Sequence, residues 1–154
     1  MDILPKEFYT KNEVVSQAES LLGAIIRTNY HGVVTEGIIT ETEAYRGRDD
    51  KASHAFGMNK TKRTSTMFRE GGVAYIYLCY GIHHLFNIVC GPAGEPNGVL
   101  IRAVEPIQGI EHMLERRNMK KISPALTAGP GRLSQALEIT TRDKGIQVYK
   151  ESKI

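Results

Sequence analysis

The sequence predicts an α+β fold in one domain. Three observations carry that reading. Extended stretches rich in β-branched and aromatic residues follow one another across short turns, which makes hairpins rather than parallel crossovers. Apolar residues at helical spacing are confined to a few separate segments. The 154 residues suffice for one core, and no repeat, linker or low-complexity tract divides them.

Thr10-Lys11-Asn12-Glu13 has the form of a capping box, with Thr10 accepting from a free N–H and Glu13 reaching back. Val14, Val15, Ala18, Leu21 and Leu22 then fall at helical spacing, and Gly23 suits the stop. Residues 24–29 read as a strand, His31-Gly32 as a turn and 33–45 as a second, longer strand. Residues 46–62 show no period and read as a loop carrying His54. A helical turn is expected over 65–69, ended by Gly71-Gly72. Residues 73–80 and 82–90 form an expected hairpin turning near Gly81. The Pro- and Gly-rich stretch 91–98 is a loop, and 99–104 a strand. Pro106 is placed in the first turn of a helix running to about Asn118, with Ile107, Ile110, Met113 and Leu114 on one face. Thr127-Ala128-Gly129-Pro130-Gly131 reads as a tight loop before a short helix over 132–137, and 147–150 as a last strand.

Composition excludes several classes. Hydrophobic residues make up 41% of the chain, a globular value that argues against disorder. No apolar run approaches the roughly 20 residues of a membrane helix, and the start Met1-Asp2-Ile3-Leu4-Pro5-Lys6 is not a signal peptide. Cys79 and Cys90 are too few for a disulfide framework, so a reducing compartment is expected: the bacterial cytoplasm, close to the nucleoid, or a eukaryotic nucleus. The net charge of +3 is unevenly placed. Arg46, Arg48, Lys51, Lys60, Lys62, Arg63 and Arg69 face only Asp49 and Asp50 in the same stretch, and Arg116, Arg117, Lys120 and Lys121 form a second cluster. Phosphate binding and a solvated face fit these clusters equally well.

In an extended strand Glu41, Glu43 and Tyr45 share one side with Ile39. Two carboxylates beside an aromatic suit general-base chemistry, although spacing alone fits a solvent-facing strand better. Tyr75 and Tyr77 share a face; Tyr75 fits a half-buried strand tyrosine with a wet hydroxyl. Tyr80 stands at the hairpin tip, where it can be a wedge between base pairs or simply a strand-forming residue. Arg102, within Leu100-Ile101-Arg102-Ala103-Val104, calls for a partner, and Glu43 is a candidate; Asn87 poses the same question in its own apolar strand. His83 and His84 are adjacent on a strand and cannot chelate one ion together, and no Cys-x-x-Cys or His-x-x-x-His pair occurs, so no metal or other cofactor is expected. His112 fits a helix surface. Gly129-Pro130-Gly131-Arg132 could offer N–H groups to a phosphate, but it lacks the ending of a P-loop and a plain turn fits better.

Together and in order, Ile39 to Gly47, Ala52-Ser53-His54, Lys62-Arg63 through Met67-Phe68, Val73 to Asn87, Val99 to Pro106 and Ala128 to Leu137 closely resemble the 3-methyladenine (alkyladenine, methylpurine) DNA glycosylase family. The resemblance implies a curved, mostly antiparallel sheet, partly barrel-like, with flanking helices and a protruding β-hairpin. It implies an enzyme that flips alkylated or deaminated purines out of duplex DNA and hydrolyses the N-glycosidic bond. Glu43 would be the general base and Arg102 would help hold the water. Tyr45, His54 and Tyr77 would line the pocket and stack on the base. Asn87 would stand at the pocket floor against the amino group of guanine. Tyr80 would fill the hole in the duplex, and Arg63, Gly129, Gly131 and Arg132 would lie along the DNA backbone. No lysine is among the assigned catalytic and pocket residues, which implies simple hydrolysis without a Schiff base. The expected partner is double-stranded DNA containing damaged purines, met by a monomer without a membrane. His83 stands where the family can carry an aromatic. Members of the family also continue past the position of Ile154, so residues 1–154 read as a catalytic domain short at its C-terminus. The alternative is a damaged-DNA-binding module that no longer cuts.

Overall fold

The computed structural model describes residues 2–154. Five strands make one sheet: β1 (Ile25–Tyr30), β2 (Val33–Arg46), β3 (Ala74–Cys79), β4 (His83–Cys90) and β5 (Asn97–Gln108). Their order is β1-β2-β5-β4-β3, antiparallel at every pairing, and the sheet curls into a half-barrel. Four short helices flank it: α1 (Lys6–Tyr9), α2 (Val14–Ser20), α3 (Ile110–Arg116) and α4 (Pro130–Ala136). The α+β expectation and the hairpins hold. His31 and Gly32 both take positive φ, 54° and 84°, which is the twist a two-residue hairpin turn needs.

β2 is 14 residues long, and its register against β5 slips between Glu36 and Gly37, between Ile39 and Glu41 and between Glu41 and Thr42. These bulges change which face a side chain meets. Ile39 lies in the main core, and so does the side that follows the bulge: Thr42 donates to the Ala18 carbonyl of α2 at 2.9 Å, and Ala44 packs on the same core. Glu43 and Tyr45 therefore face away from Ile39, not with it as strict alternation predicts.

The main core lies between the sheet and the helices. Leu21, Phe86, Ile101, Met113, Leu126, Leu133 and Leu137 are all fully buried there. A smaller cluster of Ala55, Met67, Val73, Tyr75 and Val89, with Phe68 and Tyr77 against it, gathers residues of the 47–73 segment, β3 and β4.

Four local expectations are corrected. The capping box does not form: Thr10 ends α1 and donates to the Glu7 carbonyl, while α2 starts at Val14 with no side-chain cap. Val15 and Leu22 point outward, so the buried stripe of α2 is Val14, Gln17, Ala18 and Leu21. Pro106 opens no helix; it lies within β5 opposite Gly37, at the bulge where a missing N–H is tolerated. The helix starts at Ile110, after Gly109 turns the chain at φ 71°. Residues 147–150 form no strand; Gln147 makes only a single bridge to Val73.

Candidate active site

Glu43 and Tyr45, two residues apart on β2, project from the sheet face opposite α2. Register lines up Glu43, Leu100, Asn87 and Tyr75 as one row across four strands, and residues opposite one another in antiparallel strands share a face. Arg102 lies two residues beyond Leu100. Its Nη1 donates to Glu43 Oε2 at 2.7 Å, so Arg102 has the partner its setting calls for. Both side chains keep 42% of their surface, so water reaches the carboxylate. A pair this exposed adds little to stability; what it does is orient the carboxylate.

Beside this pair lies a recess of about 180 Å³, lined by Tyr45, His54, Met67, Tyr75, Tyr77 and Asn87 and closed by Ala52, Ser53 and Gly98. Tyr45 comes from β2 and Tyr77 from β3, three strands away in the sheet. Only the curl of the sheet lets both line one cavity. The rings of His54 and Tyr77 are 4.4 Å apart at 70°, and those of Tyr75 and Tyr77 are 5.6 Å apart at 36°. His54 Nδ1 lies 3.2 Å from the Tyr75 hydroxyl. Burial, and then the positive charge of Arg63, hold His54 below its ordinary value, which favours the neutral ring. Tyr75 is 2% exposed, and its hydroxyl is used on His54 rather than wet, which corrects the sequence expectation. Burial also pushes the Tyr45, Tyr75 and Tyr77 hydroxyls up, with the Glu43 carboxylate as the second cause at Tyr45. Asn87 is buried, and its Nδ2 donates to the carbonyls of Tyr75 and Leu85 at 3.2 and 3.3 Å, so the side chain is pinned. A slot walled by neutral aromatic faces, with an oriented carboxylate at its edge, suits a flat electron-poor ring and a water-activating reaction beside it.

The family model for methylpurine-DNA glycosylase matches residues 7–154. The chain belongs to the methylpurine-DNA glycosylase family. A Chlamydia pneumoniae protein named "Putative 3-methyladenine DNA glycosylase" is 48% identical over 139 residues, covering 90% of this chain and 71% of its own length. A Bacillus cereus (strain G9842) protein of the same name is 44% identical over 153 residues, covering 96% and 74%. Methylpurine-DNA glycosylases act on DNA in its repair, and this family member is a DNA glycosylase with DNA as its substrate.

Other residues to which the family resemblance gives a role stand outside the recess. Tyr80 caps the β3–β4 hairpin with 92% of its surface exposed. It and Gly81 take φ values of 52° and 70° in a turn closed by Ile82 N–H donating to the Cys79 carbonyl. Arg63 sits over the Tyr77 ring, its guanidinium carbon 5.1 Å from the centroid. The Gly129 N–H donates to the Arg102 carbonyl at 2.9 Å, so this glycine braces the strand holding Arg102 and its N–H is not free for a phosphate. A Cβ at Gly131 would stand 2.8 Å from His83 Nδ1, so that glycine makes room for His83. Arg132 is exposed and donates to the Ala128 carbonyl. The basic clusters also divide. Arg46 pairs with Asp49 and Arg48 with Glu95. Arg116 pairs with Glu138, and Arg117 binds the Leu126 and Ala125 carbonyls and Gln135. Sequence reasoning missed Met67, Ser53, Ala52 and Gly98 as lining residues; Ala52, Gly98 and Met67 carry no ionisable or hydrogen-bonding group, and the Ser53 hydroxyl is used locally, accepting from the Ala55 N–H at 3.2 Å. Among the described residues no helix is long and apolar enough to cross a membrane.

Proposed function

We propose that this chain extrudes alkylated or deaminated purines (the 3-methyladenine, 7-methylguanine, hypoxanthine and ethenoadenine class) from duplex DNA and hydrolyses the N-glycosidic bond as a monofunctional glycosylase. The observation that carries the proposal is the Arg102-oriented Glu43 carboxylate at the edge of an aromatic recess. Extrusion costs a few kcal/mol, least for a damaged base. Tyr80, displayed at the hairpin tip, takes the vacated place in the stack. The base enters between the faces of Tyr45, His54 and Tyr77, which favour the positive charge of an alkylated purine. Pinned by its two carbonyl partners, Asn87 cannot swing aside, and so it meets the exocyclic amino group of guanine.

As the C1′–N bond lengthens, its electron pair leaves with the base and oxocarbenium character builds on the sugar. Glu43 stabilises that charge and removes a proton from the water whose oxygen bonds to C1′. The products are the free base and an abasic sugar. Arg102 keeps the carboxylate aimed throughout. No covalent intermediate is needed, and so no strand cleavage accompanies release.

The test is incubation of the chain with duplex containing hypoxanthine or 3-methyladenine, followed by alkali. Alkali-sensitive breaks with the wild type are expected. Glu43→Gln is expected to lower single-turnover release by about 10²–10⁴-fold, the range of a general base, while retaining a gel shift. Near-normal release by that variant would remove Glu43 as the base. Unbroken DNA that still shifts with the wild type would leave a binding module instead.

A further inference from the structure

Gly98 is buried inside β5 and lines the aromatic recess. A glycine within a strand weakens it, because it gains the most freedom on unfolding and packs no side chain. Four needs can keep one there: left-handed backbone, crowding, a bulge, or the close approach of a ligand.

The first three do not hold at Gly98. Most of the 15 glycines take positive φ, and Gly98 does not. Gly37, Gly47, Gly71 and Gly131 share that ordinary backbone, but a Cβ at each would overlap Val104, Pro96, the Tyr9 carbonyl or His83. A Cβ at Gly98 would overlap nothing. Its nearest neighbours would be the Ile88 carbonyl oxygen at 3.7 Å and Met67 Cε at 3.8 Å, both ordinary contacts. Nor is there a bulge: both ladders pass Gly98 without a slip, with Tyr45 opposite it on β2 and Val89 opposite it on β4. Gly98 is thus the single glycine among the described residues that neither backbone nor packing demands.

What remains is the space itself. Residues opposite one another share a face, so Tyr45, Gly98 and Val89 form a row beside the row of Glu43, Leu100 and Asn87. Every other member of the two rows brings a side chain, and Gly98 leaves a gap. The gap lies in the floor of the recess, with the Met67 methyl across it. Most of the surrounding wall is fixed. Asn87 is pinned by two carbonyls, the Tyr75 hydroxyl meets His54, and Val89 is fully buried. Met67 is the exception, since an unbranched thioether adapts to what lies against it. A gap with one adaptable wall takes extra atoms on a flat ring.

We infer that Gly98 sets the size limit of the recess. The room left by its missing side chain admits purines enlarged by a fused ring, the ethenoadenine class, and a side chain there shuts them out before it shuts out hypoxanthine. This role rests on the proposed glycosylase reading, to which it adds a residue that chooses among substrates.

The experiment compares the wild type with Gly98→Ala and Gly98→Val on duplexes carrying one ethenoadenine or one hypoxanthine. Single-turnover release gives the ratio of the two rates, and fluorescence anisotropy the ratio of the two affinities. The ethenoadenine-to-hypoxanthine ratio is expected to fall about tenfold in Gly98→Ala and further in Gly98→Val, since one methylene in an apolar pocket is worth about 10–200-fold. The urea midpoint of Gly98→Ala is expected at or above the wild-type value, because alanine fits this backbone and restricts the unfolded chain. Base release by the wild type with unchanged ratios in both variants overturns the size limit and keeps the glycosylase. So does a wild type that releases hypoxanthine but neither releases nor binds ethenoadenine. A lowered urea midpoint in Gly98→Ala with equal losses on both bases makes the glycine structural and overturns the inference too. If the wild type releases neither base, the glycosylase reading fails, and the affinities decide the rest. A fall in their ratio keeps the size limit on a binding module; an unchanged ratio sinks both.

Discussion

His54 shows how its surroundings tune a site. Burial of the ring disfavours its charged form first, and Arg63 nearby adds a second positive charge that protonation would have to face. The ring therefore titrates below the ordinary histidine value of about 6.5. A lowered value means that the unfolded chain binds the proton more tightly. The stabilising contribution is complete above about 6.5 and is lost as pH falls through the folded value. An NMR titration of the His54 ring is expected to give a midpoint below about 6.5, moving upward in Arg63→Ala; a midpoint at or above the ordinary value refutes this account of the pocket. Residue chemistry alone made little of the candidate site legible. Arg102 called for a partner with Glu43 as a candidate, but spacing put Glu43 on a solvent-facing strand, and it was the family resemblance that singled out Tyr45, His54, Tyr77 and Asn87. Tyr75 was singled out by neither. Its spacing fits any strand tyrosine, and only the fold of the 47–73 segment brings His54 over its hydroxyl.

Among the elements, turns read better than ends. His31-Gly32 and Tyr80-Gly81 were legible because a tight hairpin demands left-handed backbone that few residues accept. Pro106 misled because its place depends on a bulge opposite Gly37, a fact of pairing and not of local pattern. The start of α3 depends instead on Gly109. A Cβ there would lie 2.4 Å from the Val34 carbonyl oxygen and 2.8 Å from Thr35 Cγ2, at φ 71°. Gly109→Ala is expected to cost about 2–4 kcal/mol, summing left-handed strain and overpacking. Urea unfolding measures it, and a loss under about 1 kcal/mol would show that the β5–α3 corner yields. The Thr10 capping box failed for a related reason. Thr10 already ends α1, a four-residue helix with no periodic signature of its own.

For the whole molecule, the sheet has two unequal sides. One is sealed by helices over the main core; the other carries the small cluster and the recess. Leu133→Ala, in the sealed core, is expected to cost about 2–5 kcal/mol and to leave base release per folded molecule unchanged. Met67→Ala borders the open recess, where neighbours can relax, and is expected to cost about 2 kcal/mol, the low end for a buried methionine, while weakening base release. Paired unfolding curves and single-turnover rates check this, and equal stability losses with equal rates would erase the division. The small cluster has a further consequence. The loop over the recess rests on few buried side chains, so lifting it exposes little apolar surface. Its amides should exchange with solvent through a local opening far cheaper than global unfolding, while those of β4 and β5 wait for the whole fold to come apart. The wall that carries His54 is then the part of the recess most easily displaced, and the strands behind it the part least so.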